Sequence, residues 1–297
     1  MKEHGITRRE FGVSLATVGG ALLASGPGRL WAAPAPKAKV VLVRNADVLD
    51  AQGKPKEAVL EQMMAQALTA LTGKRTAREA WQSLIRPSDV VGIKSNEWQY
   101  IPTTAQLEQV LRRGVLSAGV AAASIAIGDR DVLSSPVFQR ATALINARPM
   151  RAHHWSGVGS LLKNYITFVP QSERPTLHPD SCADLGKLWH LPIVKGKTRL
   201  NVLSVLTPQF HNVGPHGFAP KFVWRYYGLL VGVDPVAVDS VGLRIILAKR
   251  RAHFGDDRPL ATPAHHIQYA DTRWHLGTAD PAKIELVKLG YAQDLLI

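Results

Sequence analysis

Two lysines of this chain of 297 residues lie beside apolar residues and an amide, a setting in which a lysine needs a partner. Lys94 ends an apolar run and precedes Asn96 by two positions, so an extended backbone turns both side chains to the same side. Lys163 and Asn164 are adjacent and follow two leucines. An ammonium group beside an amide suits an anionic or carbonyl-bearing ligand. We therefore predict that both lysines serve a site for a small phosphate- or carboxylate-bearing ligand, by binding it or by transferring a proton.

Carboxylates follow two further apolar runs of strand type. Asp129 comes directly after one run, where it would ligate a hard cation, orient Lys94 or form a turn. Asp234 follows the other, where it would cap the helix that begins at Pro235. Asp239 lies among apolar residues of that helix and needs a partner, such as a lysine at a neighbouring strand end. The predicted catalytic residues are Lys94, Lys163 and Asp239, and the predicted ligand-binding residues are Asn96, Asp129, Asn164, Arg174, His211 and Asp234.

Two adjacent histidines supply a weaker signal, for a metal. His153 and His154, together with Asp129, are the candidate ligands of a divalent cation, although they lack the His-x-x-x-His spacing of a zinc site. A general base is the other interpretation of these histidines. Cys182 is the single cysteine, which excludes an internal disulfide and an iron–sulfur cluster held by this chain alone. The cofactor therefore stays unassigned, with a divalent metal as an open alternative.

The elements that must position these residues alternate between strand and helix patterns. This alternation predicts an α/β fold with a mostly parallel sheet, helices on both faces and an elaborated, irregular middle segment. In such a sheet, ligands bind beyond the carboxyl ends of the strands, which is where most of the candidate residues fall. The predicted strands are 39–44, 90–94, 124–128, 165–169, 191–194, 199–206, 228–233 and 284–289, and the predicted helices are 55–71, 76–84, 104–118, 136–146 and 235–249.

The beginning of the chain has the composition of an export signal. Residues 7–11 read Thr-Arg-Arg-Glu-Phe, a moderately apolar run follows to residue 25, and an alanine-rich stretch covers residues 31–36. We predict a twin-arginine signal peptide over residues 1–35, recognised by the twin-arginine export machinery, and a single α/β domain over residues 36–297. The mature protein would be periplasmic and without a transmembrane span, because no later run is apolar for eighteen residues.

The basic charge, 36 Lys and Arg against 23 Asp and Glu, favours acidic partners. The basic residues are dispersed and no nucleic-acid recognition motif is present, so we predict no nucleic-acid binding. Two classes of function remain open. One is the small-ligand site, with or without a metal and catalysis. The other is a non-catalytic periplasmic binding or accessory protein, whose basic surface and seven tryptophans would hold an anionic polymer or an acidic redox partner.

Four blocks of the sequence resemble, in this order, the domain-of-unknown-function family 362, in its twin-arginine-exported branch without iron–sulfur cysteines. The most specific is Gly232-Val-Asp-Pro-Val-Ala-Val-Asp-Ser-Val-Gly242, and the others are Val91-Gly-Ile-Lys-Ser-Asn96, Ile127-Gly-Asp-Arg130 and Ser160-Leu-Leu-Lys-Asn-Tyr165. The chain departs from many relatives at Ser95, where they have proline. The resemblance implies membership of a family and no particular reaction.

Overall fold

The computed structural model describes residues 36–212 and 217–297. The predicted signal peptide lies outside these residues, so the division into a signal and one α/β domain stays a prediction. Within the described residues, no helix is long and apolar enough to cross a membrane.

Eight strands form one sheet in the order β3-β2-β4-β6-β7-β1-β8, with β5 paired to β4 outside this path. Four pairs of neighbouring strands are parallel: β1 with β8, β2 with β3, β2 with β4, and β4 with β6. Strand β7 is antiparallel to β1 and to β6, and β5 is antiparallel to β4. The predicted α/β class with a mostly parallel sheet is therefore confirmed. The strands are β1 Ala38–Arg44, β2 Val91–Lys94, β3 Ile125–Gly128, β4 Ala143–His153, β5 Gly157–Gly159, β6 Thr198–Gln209, β7 Gly228–Gly232 and β8 Ile284–Gly290.

Local sequence signals define the ends of the main helices. The Thr76 hydroxyl accepts a hydrogen bond from Glu79 N, and the Glu79 carboxylate accepts one from Thr76 N, which together form a capping box. Asp234 caps the longest helix and Pro235 occupies its first position. The α-helices are α1 Glu57–Thr72, α2 Ala77–Leu84, α3 Ala105–Ser117, α4 Pro136–Gln139, α5 Leu161–Asn164, α6 Pro179–Cys182, α7 Pro235–Phe254 and α8 His265–Thr272.

The apolar core consists of two clusters that take alternate residues of β1. Val41 packs in one cluster with Leu60 and Met63 of α1. Val40 packs in the other with Val241 of α7. Because successive side chains of a strand point to opposite faces, each cluster holds its helices against a different set of strand residues. This packing fixes the strand ends at which the candidate residues lie.

Three predicted elements are wrong. The helix predicted over 136–146 ends at Gln139, and β4 begins at Ala143 and pairs with β2 from Val91 onward. The strands predicted at 165–169 and 191–194 are 3-10 and turn structure, the second closed by a hydrogen bond from Val194 N to Leu191 O. Short apolar runs do not distinguish a buried strand from a buried turn or helix by periodicity alone.

Candidate functional site

A cleft of about 300 Å³ opens beyond the carboxyl ends of β2 and β3 and beside the second half of β4. This is the end of the sheet at which an α/β fold binds ligands. Its charged lining consists of Asp129, Arg130, Arg148, Arg151, Lys163 and Arg174, and further lining residues are Asn96, Trp98, His153, Trp155, Asn164, Thr167 and His178.

Lys94 forms a buried ion pair directly behind this lining. Its Nζ atom donates to Ser95 O at 2.6 Å, to Asp129 Oδ1 at 2.5 Å and to Asn164 Oδ1 at 3.3 Å. Burial lowers the pKa of Lys94 to about 8, and the attraction of Asp129 offsets part of that effect. Burial alone would raise the pKa of Asp129, but the Lys94 ammonium outweighs burial and the pKa is lowered. The three donated hydrogens fix Asp129 and Asn164 at the cleft, so the role this geometry gives Lys94 is to position them.

A chain of buried amides continues from this pair into the sheet. Asn164 Nδ2 donates to Asn146 Oδ1 at 2.8 Å, and Asn146 Nδ2 donates to Asn201 Oδ1 at 3.3 Å. Asn201 Nδ2 in turn donates to the Val233 carbonyl at 2.8 Å. These bonds connect β4, β6 and the end of β7 to α5, and they hold the α5 turn in place beside the cleft.

Asp239 of α7 binds the start of α5. Its carboxylate accepts hydrogen bonds from Ser160 Oγ at 2.6 Å and from the backbone N–H groups of Leu161 and Leu162, each at 2.9 Å. Burial raises the pKa of Asp239 to about 6, against the effect of these donors. The prediction of a lysine partner for Asp239 is therefore wrong, because the N–H groups at the start of α5 already bind the carboxylate. Asp239 positions the turn that carries Lys163.

Lys163 lines the cleft without a carboxylate partner among the described residues. Its Nζ atom contacts Cys182 Sγ at 3.5 Å, and the residue is 4% exposed. Burial lowers the pKa of Lys163 to about 8; the Cys182 thiol opposes this shift, while Arg148 and Arg151 add to it. The buried carboxylates Asp129 and Asp239 are bound instead to Lys94 and to the start of α5.

Arg148 and Arg151 of β4 are the residues that the sequence interpretation missed. Arg148 Nη1 donates to Ser160 O at 3.4 Å, and the Arg151 guanidinium lies 3.8 Å from the Trp98 ring centroid. Burial lowers the pKa of Arg148 to about 10 and that of Arg151 well below its usual range. Neither Nε atom has a hydrogen-bond partner within the described residues. Recognising 143–153 as a strand would have flagged both, since charges inside a buried strand require an explanation.

The sequence matches the family described as a domain of unknown function (DUF362) over residues 91–244, more than half of the chain. The chain belongs to this family. The match runs from β2 into α7 and includes the charged residues that line the cleft. No curated protein and no solved structure matches the chain.

Three other predicted residues of the DUF362 region also lie at the cleft. Asn96 Oδ1 is buried and has no hydrogen-bond partner in the described part of the chain. Arg174 lines the opening and its Nε atom donates to Val169 O at 3.3 Å. His153 is buried, and burial, followed by the charges of Arg151 and Lys163, lowers its pKa well below the usual range. The structure therefore brings these residues to the same cleft as Lys163.

Two predicted ligand residues of the DUF362 region lie elsewhere. Asp234 accepts from the N–H groups of Val236, Ala237 and Thr278, so it is a helix cap. Strand β7 runs antiparallel to β6, and Asp234, which follows it, is not among the residues that line the cleft. His211 Nδ1 lies 2.8 Å from Arg250 Nη1, and His211 does not line the cleft.

The candidate metal ligands do not form a cluster. Over residues 36–212 and 217–297, no group of three or more His, Cys, Asp or Glu residues is arranged to hold a metal ion. The rings of His153 and His154 stack with centroids 4.7 Å apart, and His154 is not part of the cleft lining. The surrounding side chains are cationic, and this charge disfavours a divalent cation and favours an anion.

Proposed function

We propose that this DUF362 protein binds a small phosphate- or carboxylate-bearing ligand in the cleft. The observation that carries the proposal is the burial of three cationic side chains, Arg148, Arg151 and Lys163, which form no ion pair among the described residues. The buried carboxylates Asp129 and Asp239 act on Arg148 only at longer range.

Burial of an unpaired cation is costly, because the protein replaces water poorly around the charge. Three such groups in one cleft are explained by a ligand that supplies the missing negative charge. A guanidinium group donates two parallel hydrogen bonds to a carboxylate or a phosphate. The Nε atoms of Arg148 and Arg151 are buried and have no hydrogen-bond partner among the described residues. The side chains supply the positive charge themselves, so the proposed binding does not require a divalent metal.

The test is calorimetric titration of the purified full chain with inorganic phosphate and with acetate. We expect Arg148→Met and Arg151→Met each to lower the affinity for the bound anion, phosphate or acetate, by about tenfold or more. The reason is that a charge-assisted hydrogen bond contributes about 1.5–3 kcal/mol. Arg251→Met is the matched control, because Arg251 is 66% exposed and pairs with Asp257 on the surface. Unchanged affinity in both cleft variants, or no binding of either anion to the unaltered chain, would overturn the proposal.

We also propose that residues 1–35 direct export to the periplasm by the twin-arginine route. The support is the sequence of this segment, with Arg8 and Arg9 ahead of an apolar run. Replacing both with lysine in the full chain should abolish the periplasmic fraction in a host with an active twin-arginine pathway. Arg29→Lys in the same segment is the control and should be exported normally. Equal export of the two variants would contradict this assignment.

A further inference from the structure

The two buried lysines of the site differ in what their amines are free to do. Lys94 donates all three hydrogens of its ammonium group to oxygen atoms and does not line the cleft. Lys163 lines the cleft, and its single hydrogen-bond partner among the described residues is the sulfur of Cys182 at 3.5 Å. Sulfur is a weak acceptor, so the Lys163 nitrogen is the amine that a bound ligand can reach.

The surroundings of Lys163 increase the fraction of its amine that is neutral. Burial lowers the pKa of the amine to about 8, with Arg148 and Arg151 adding to the effect. About a tenth of these side chains carry a free amine at pH 7, against well under a thousandth for an exposed lysine. Burial also raises the pKa of the Cys182 thiol, whose sulfur lies 3.5 Å from the Lys163 nitrogen, so the thiol is held toward its uncharged form and offsets the lowered pKa of Lys163 only in part. A free, buried amine is the form in which lysine attacks a carbonyl carbon.

The same cleft holds the groups that would bind a carboxylate. A Cβ atom at Gly159 would lie 3.0 Å from Arg148 Nη2 and 3.4 Å from Arg151 Cγ, so the absence of a side chain there makes room for both arginines. The cleft volume of about 300 Å³ matches a small metabolite. A ligand whose carboxylate binds these arginines while its adjacent carbon faces an amine is a small 2-oxo acid.

We propose that Lys163 is a catalytic nucleophile that forms a Schiff base with a 2-oxo acid whose carboxylate is bound by Arg148 and Arg151. This inference rests on the proposed anion-binding function. The neutral Lys163 nitrogen bonds to the carbonyl carbon, and the carbonyl oxygen becomes a hydroxyl as the nitrogen loses a proton. Loss of that hydroxyl as water, with a proton taken up, leaves a carbon–nitrogen double bond. No oxidant or reductant is consumed in this step.

The test is reductive trapping of the purified full chain with pyruvate and sodium borohydride, followed by peptide mass mapping. Borohydride reduces the carbon–nitrogen double bond, so the adduct becomes permanent. We expect labelling at Lys163 to exceed that at any exposed lysine by about tenfold or more, given its larger free-amine fraction. Lys94 serves as an internal control that should stay unlabelled, and acetate, which has no ketone, should give no adduct.

Lys163→Arg removes the nucleophilic amine. This variant keeps a cation in the cleft and should lose the pyruvate adduct, while anion binding is measured separately, with phosphate and acetate on the unaltered chain. Lys283→Arg is the matched control, because Lys283 is 71% exposed, and it should keep the adduct. Anion binding without an adduct at Lys163 overturns this inference and leaves the proposed function standing. Absence of both overturns both, and labelling spread evenly over exposed lysines counts against the inference.

Discussion

The carboxylate of Asp239, on α7, accepts the hydroxyl hydrogen of Ser160 at 2.6 Å, immediately before the α5 turn. Two backbone N–H groups of that turn bind the same carboxylate. Asp239 therefore acts as the N-terminal cap of a helix in another part of the sequence. This contact holds the turn that presents Lys163 and Asn164 to the cleft.

Removing this cap should destabilise the fold. Asp239→Ala leaves three donors at the start of α5 without their acceptor, and we expect the free energy of unfolding to fall by about 3 kcal/mol. Asp280→Ala is the matched control, since Asp280 caps an exposed turn by a single bond to Ala282 N and its loss should cost about 1 kcal/mol or less. Chemical denaturation of both variants measures the difference, and equal losses would contradict a structural role for Asp239.

The Lys94–Asp129 pair should behave as a coupled unit. Asp129→Leu leaves the Lys94 charge buried without its partner and should cost about 3–5 kcal/mol of stability. Adding Lys94→Met should recover a large part of that loss, because the double variant no longer buries an unpaired charge. A double-mutant cycle from urea denaturation gives the coupling energy. Strictly additive losses would show that the two side chains do not depend on each other.

Anion binding should weaken as the pH rises through about 8. Lys163 in the empty cleft has its pKa lowered to that value, so above it the amine is neutral and no longer attracts the ligand. Below it the ammonium form is present and the affinity is highest. Acetate is the suitable probe, because its own charge does not change over this range. Titrations between about pH 7 and pH 9.5 should show the decline in the unaltered chain and a much flatter profile in Lys163→Met.

Gly159 should be required for binding more than for folding. A methyl group there would press on the Arg148 guanidinium and on His153 Cδ2, which lie 3.0 Å and 3.4 Å from its position. We expect Gly159→Ala to fold and to bind anions about tenfold more weakly, a loss of one charge-assisted hydrogen bond. Gly196→Ala, in a turn with no atom within 4 Å, should lose some stability because of its φ of +71° and keep full affinity. The reverse pattern would be inconsistent with the proposed cleft.

The sequence was sufficient to predict the site residues that lie at the carboxyl ends of the short parallel strands β2 and β3. Lys94 and Asp129 were predicted as site residues from their positions at the ends of apolar runs, and they form an ion pair at the ends of β2 and β3. Asn164, which contacts Lys94, was predicted from its pairing with Lys163 and lies in α5. Polar residues at the ends of parallel strands meet at one edge of the sheet, and this rule needs no knowledge of distant contacts.

The two arginines were missed because the pattern of 136–146 resembles a helix. The correct assignment depends on the pairing of β4 with β2 and β6, which joins residues far apart in the sequence. The pairing of β4 with β6 also shifts register between Pro149 and Arg151. Strict alternation would turn positions 148 and 151 to opposite sides, yet both line the cleft. No local pattern in the sequence reveals such an irregularity.

Asp234 and Asp239 were predicted for one site and bind different parts of the chain. Strand β7 runs antiparallel to β1, so Asp234 follows the end of β7 that lies beside the start of β1. Asp239 lies farther along α7 and contacts the α5 turn. The direction of a strand is set by its partners, and the sequence of the strand itself does not state it.

Strand β1 is the first of the eight to leave the ribosome, yet its two neighbours in the sheet, β7 and β8, are the last. Until β7 has been synthesised, β1 has no adjacent strand on either side, and one of its edges stays unpaired until β8 follows. The sheet can therefore be completed only after β8 has left the ribosome.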